Sequence, residues 1–162
     1  MNKIELKSVK FSEWNSQETC CFQANVFFNG KKVGYCKNDG MGGCTYCYCI
    51  GDRELYGQME SYCKTLPDND NYVGKPSVEN VVDELFNSWL KDYYRKKREK
   101  DFSKGVCIGT ENFYNVLEVL VGGKRTKIED LLMTEKGSKY LRDLCKQKRE
   151  EGLNILNTNL PF

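Results

Sequence analysis

Apolar and polar positions alternate through the first fifty residues, and then the period changes. Ile4, Leu6, Val9 and Phe11 mark a first strand with imperfect alternation. Phe22, Ala24, Val26 and Phe28 share one face of a second, as a period of two requires. Asn29-Gly30 suits a type I′ hairpin turn, which needs φ > 0 at both central residues. Residues 31–37 return as a third strand with Val33 and Tyr35, 38–43 form a glycine-rich loop, and 44–50 read as a fourth strand. From there the spacing is helical. Leu55, Met59, Tyr62, Cys63 and Leu66 lie near one face of a short helix over 53–66. Ser77 caps a longer helix, whose stripe of Val78, Val81, Val82, Leu85, Phe86, Trp89, Leu90, Tyr93 and Tyr94 predicts a helix running to Lys100.

The rest of the chain repeats the change of period. Residues 106–108 and 114–121 read as strands joined in a hairpin through Thr110-Glu111-Asn112. Thr126-Lys127-Ile128-Glu129 has capping-box form and opens a short helix through Leu131 and Leu132. Thr134 caps a last helix with Tyr140, Leu141, Leu144 and Cys145 inward, and Gly152-Leu153 fits a left-handed stop. This order predicts an α+β fold, in which an antiparallel sheet (an N-terminal β-meander plus a later hairpin) is covered by amphipathic helices. No repeat is visible and no linker is polar enough to divide the chain, so residues 1–162 read as a single domain.

Composition narrows the chemistry. Histidine is absent, which excludes Ser-His and Cys-His dyads and every zinc site that needs imidazole. No catalytic signature appears, so the chain reads as non-enzymatic and no cofactor is expected. No signal peptide or long apolar run is present, so the expectation is a cytoplasmic protein with no membrane partner. In that compartment the nine cysteines are mostly reduced thiols, and an odd number cannot all pair within one chain.

Charge is uneven along the sequence. Residues 1–90 carry 9 Lys/Arg against 12 Asp/Glu, whereas 91–162 carry 16 against 11. The excess gathers at Arg95, Lys96, Lys97, Arg98 and Lys100, with Lys124, Arg125 and Lys127 further on. Arg95, Lys96, Arg98, Lys124 and Arg125 are therefore the candidate contacts to a polyanionic partner, nucleic acid or an acidic protein surface. The competing reading is a solvated helix end whose cations suit the macrodipole.

Other patterns are weaker. Cys36, Cys44, Cys47 and Cys49 could hold a tetrahedral zinc, making the chain a zinc-stabilised binding module. There is one CxxC where ribbons have two, and a strand over 44–50 would put Cys44 on the face opposite Cys47 and Cys49. The loop at 38–43 could cradle a phosphate, but it lacks the ending of a P-loop and reads first as a tight strand connection. Asp68-x-Asp70 begins like a calcium loop without its Gly and Glu, and Glu5-Leu6-Lys7 resembles half of a metal-nuclease motif; both read as chance, and a carboxylate-metal enzyme ranks last.

Residues 21–44, CFQANVFFNGKKVGYCKNDGMGGC, and 152–160, GLNILNTNL, resemble the two ends of small proteins carried by phages, prophages and mobile elements of gut bacteria. The resemblance implies an accessory protein in a bacterial cytoplasm. Such proteins act by binding, for example as anti-CRISPR-like inhibitors of host defence nucleases or on nucleic acid directly. It implies no catalytic residues and leaves the oligomeric state open.

Overall fold

Alternation and turn chemistry build the first sheet directly. The structure, a computed structural model, describes residues 2–67, 74–111 and 113–162. Strands β1 (Ile4–Ser12), β2 (Cys21–Phe28), β3 (Lys31–Asn38) and β4 (Tyr46–Cys49) form an antiparallel meander in that order. Asn29 and Gly30 have φ of 49° and 82°, as the hairpin signal requires. Imperfect alternation in β1 has a local cause: Ser8, at φ 53°, sits in a bulge between Lys7 and Lys10. The fourth strand is shorter than its sequence suggests, because Cys44 and Thr45 remain in the loop.

Two compact units divide the chain, Met1–Leu90 and Lys91–Phe162. In the first, one sheet face buries Ile4, Phe22, Ala24, Val26, Phe28, Val33 and Cys36. Helix α1 (Arg53–Cys63) adds Met59 and Cys63, and the first part of helix α2 (Val78–Lys104) adds Val78, Val81, Val82 and Phe86. Asp52 caps α1 by accepting from the Leu55 amide at 3.0 Å. Ser77 accepts from the Asn80 amide, and Asn80 returns the bond to the Ser77 amide at 2.9 Å. That is a capping box with asparagine in place of the usual glutamate.

The second unit contains α2 from Lys91 onward, which runs straight into β5 (Gly105–Gly109) with no intervening loop. Strands β6 (Tyr114–Val121) and β7 (Lys124–Thr126) complete a separate antiparallel sheet, followed by α3 (Ile128–Leu132) and α4 (Glu135–Glu150). The later hairpin therefore has its own three-stranded sheet and its own core of Val106, Ile108, Val119, Ile128, Leu131, Leu141 and Cys145. No linker is legible in the sequence because the boundary between the units falls inside a continuous helix.

Some local expectations change. Thr126 ends β7 instead of capping α3, whose N-cap Lys127 makes no side-chain cap bond. Tyr140 is 51% exposed, so only Leu141 and Cys145 of that stripe are fully inward. Thr134 does cap α4, accepting from the Gly137 amide at 3.0 Å. Gly152, at φ 77°, ends α4 with the Leu153 amide bonded to the Lys148 carbonyl. Beyond it the tail runs beside β5, its Leu156 amide donating to the Cys107 carbonyl. Asn112 of the β5–β6 hairpin, and Asp68 and Asp70 of the calcium-like sequence, lie outside the described residues. No helix among the described residues is long and apolar enough to cross a membrane.

Candidate nucleic-acid interface

The basic helix end is engaged with its own carboxylates. Arg95 lies 2.8 Å from Asp92 and 2.9 Å from Glu99, spacings of three and four residues that place all three on one helical face. Lys96 also reaches Asp92, at 3.6 Å. These partners, Arg95 first, hold the Asp92 carboxyl below its usual range. Arg98 turns elsewhere, to the carbonyl of Glu111 at 3.2 Å and its carboxylate at 3.6 Å. Arg95 and Arg98 thus do not share one ligand-facing direction. Lys97 places its ammonium 5.9 Å from the centroid of the Tyr94 ring. On β7, Arg125 pairs with Glu118 at 2.7 Å, and Lys124 is exposed.

Of the cysteine cluster, Cys36, Cys47 and Cys49 share one face of the sheet, and Cys44 lies off the strands. All nine cysteines are free thiols. Cys36 and Cys47 are register partners on β3 and β4, and Cys49 faces Gly34. Cys44 is exposed in the loop, hydrogen-bonded to the Tyr46 side chain, a contact that raises the Tyr46 phenol above its ordinary value. Among the described residues no three Cys, Asp or Glu side chains gather to hold a metal. The hydrogen bond between Cys36 and Cys47 is the largest influence on both: it lowers the Cys36 thiol and raises that of Cys47.

The glycine loop spends its amides internally. The Gly40 amide donates to Asn38 Oδ1 at 2.9 Å and the Gly42 amide to Thr19 Oγ1 at 3.3 Å. In return the Gly40 carbonyl accepts from the amides of Gln17, Glu18 and Thr19. Asn38 and Thr45, the two buried polar residues among those described, extend this network, and the Thr45 hydroxyl donates to Asp83 on α2 at 2.5 Å. Burial raises the Asp83 carboxyl, Glu79 adds to the shift, and the Thr45 bond opposes it. The loop is a strand connection stapled to residues 15–19.

A different surface joins cations to aromatic rings. Period-two geometry sends the alternate residues of β1–β4 to the face opposite the core. Register sets them in rows across the sheet: Lys7, Asn25, Tyr35 and Tyr48 in one, Lys10, Gln23, Lys37 and Tyr46 in the next. The Tyr35 and Tyr48 rings stack at 4.8 Å between centroids and 13° from parallel. Tyr46 is 50% exposed and Tyr48 39%. The Lys7 ammonium stands 4.5 Å from the centroid of the Phe27 ring, on the same face.

Charge on this face runs against the charge of its unit. Its outward positions carry Lys7, Lys10, Lys32 and Lys37 against Glu5, which Lys3 pairs at 2.9 Å, and Asp39 beyond β3 lies 3.6 Å from Lys37. The excess acids of residues 1–90 lie off the sheet, among them Glu54 and Glu60 on α1 and Glu79, Asp83 and Glu84 on α2. The sequence pattern contained this face, as the polar half of the alternation. It is missed when aromatic residues are counted as core and charge is summed over half a chain. No protein-family model, curated protein or solved structure matches the chain.

Proposed function

We propose that the protein acts by binding, and that its ligand is single-stranded nucleic acid laid across the outer face of β1–β4. The observation that carries this reading is the pair of rows, with stacked tyrosines at the β4 edge and lysines across the sheet. Unpaired bases have exposed rings, and base–aromatic stacking contributes about 1–3 kcal/mol per base. Lysines beside the rings neutralise backbone phosphates, and the Asn25 and Gln23 amides between them can donate to phosphate or base edges. A duplex hides its rings and gains less from such a face. Carried by a phage or mobile element, as the resemblance of residues 21–44 implies, such a chain would act on a nucleic-acid intermediate or on a defence nuclease that holds one. The carboxylate pairs around Arg95 and Arg98 make the basic helix the weaker candidate.

Fluorescence anisotropy with labelled oligothymidylate and oligouridylate at low salt tests the reading. Neutralisation of about three phosphates by Lys7, Lys10 and Lys37 gives a slope of log K against log salt of about −2 for a single strand. Tyr48→Ala should weaken binding roughly tenfold, within the range one lost stacking contact produces. Absence of binding, or wild-type affinity in both the Tyr48→Ala and the Lys7→Ala/Lys37→Ala proteins, overturns the proposal.

A further inference from the structure

We infer that Cys36 and Cys47 form an oxidation site, at which a peroxide converts two facing thiols into a cross-strand disulfide between β3 and β4. Register supplies the first argument: Cys36 opposes Cys47 directly, and no other two cysteines are partners in the described strands. Hydrogen-bond alternation supplies the second. The Ile50 amide donates to the Val33 carbonyl at 2.9 Å, which makes Val33 and Ile50 a hydrogen-bonded pair. Counting inward along the same register, Gly34 and Cys49 are non-bonded, Tyr35 and Tyr48 bonded, and Cys36 and Cys47 non-bonded. At a non-bonded antiparallel pair the Cα atoms stand about 4.5 Å apart with side chains close, inside the range a disulfide spans. Both residues point to the core side of the sheet. Cys36 is fully buried, donating its thiol to the Ala24 carbonyl at 3.6 Å, while Cys47 is partly exposed and admits a small oxidant.

The atoms balance in two steps. One thiol sulfur attacks a peroxide oxygen, the O–O bond breaks, and a sulfenic acid and one water form. The second sulfur then displaces the sulfenic oxygen as a second water, and the S–S bond closes. Two thiols are oxidised and one hydrogen peroxide is reduced to two waters. Cys49 has only Gly34 opposite it, and Cys44 lies beside Tyr46, so neither competes by register.

Closure has a consequence for the face described above. Strand β4 is a four-residue edge strand, and its Tyr46 and Tyr48 flank Cys47 while pointing to the opposite side. A covalent tie to β3 would hold those rings in place. This consequence rests on the proposed binding face; the disulfide does not.

The intact protein is treated with hydrogen peroxide, remaining thiols are alkylated, and the digest is mapped by mass spectrometry before and after reduction. The expected product links the Cys36 and Cys47 peptides, is lost in Cys47→Ser and persists in Cys49→Ser. Amide exchange at Tyr46–Cys49 should slow on oxidation and recover with dithiothreitol. Recovery of Cys36 and Cys47 as free thiols or sulfinic acids in folded protein, or a Cys47–Cys49 link, overturns the inference. If the Cys36–Cys47 link forms and oligothymidylate affinity is unaltered, the coupling to binding falls while the disulfide stands. If neither form binds, the binding face falls and the mapped disulfide is unaffected.

Discussion

The Phe22 and Phe86 rings stack with centroids 3.7 Å apart and planes 7° from parallel. Phe22 comes from the centre of the meander and Phe86 from the apolar stripe of α2, so this contact joins sheet to helix in the first unit. Phe11 and Trp89 surround the Phe86 ring, at 5.9 Å and 5.8 Å between centroids.

Phe86→Ala should therefore destabilise the protein by about 3–5 kcal/mol, the usual cost of emptying a buried phenylalanine site. Trp89→Ala should cost less, because Trp89 is only partly buried. Urea unfolding followed by tryptophan fluorescence in Phe86→Ala, and by circular dichroism in both variants, measures the difference. Equal midpoints for Phe86→Ala and wild type would place the core elsewhere.

Asp83 gives a pH prediction with a definite sign. Its carboxyl is raised in the folded chain, chiefly by burial, above an ordinary value of 3.8. Between those two values the folded chain keeps a proton that the unfolded chain has released. The associated stability is complete below pH 3.8 and is lost as pH rises through the folded value. Asn at this position still accepts the Thr45 hydroxyl but does not titrate. The stability difference between wild type and Asp83→Asn should shift toward the variant across that window. A difference that is flat with pH contradicts the assignment.

Asn157 locks the tail to the α2–β5 junction. Its Oδ1 accepts the Cys107 amide at 2.6 Å, and its Nδ2 donates to the carbonyls of Phe102 and Gly105. Asn157→Ala strands the Cys107 amide, at a cost of about 1–3 kcal/mol. Trypsin should then cut near Arg149 faster than in wild type. Unchanged unfolding and cleavage would mean that the tail's strand-like bonds suffice.

Arg95→Ala/Arg98→Ala separates the two basic surfaces. Its oligothymidylate affinity should match that of wild type, whereas Lys7→Ala/Lys37→Ala binds more weakly with a shallower salt slope. The opposite ranking would return the binding role to the helix end.

Legibility followed the range of the interactions. The meander, its Asn29-Gly30 turn, the α2 stripe and the Thr134 cap depend on neighbours within a few positions, and the sequence displays them. Strand β7 was within reach too, since Gly122-Gly123 is a two-residue hairpin signal whose residues have φ of 58° and 79°. The Asn157 lock was not, because its partners lie about fifty positions away and an asparagine in a polar tail has no pattern. The candidate face needed register: only pairing shows that Lys7, Tyr35 and Tyr48 share a row. Charge counting pointed to Arg95 because sequence lists cations without showing which carboxylate each one meets.

The glycine loop looks like the most permissive stretch of the chain, and its bonding says the reverse for anyone inserting an epitope or a reporter peptide. Gly40 has φ of 83°, and a Cβ there would strike the Asn15 carbonyl, while its own carbonyl gathers three amides. Extra residues at 39–43 would pull apart the anchor of residues 15–19. The turn at Gly122-Gly123 has open space wherever a side chain would go, so the protein should carry foreign sequence there and refuse it in the loop that appears built for it.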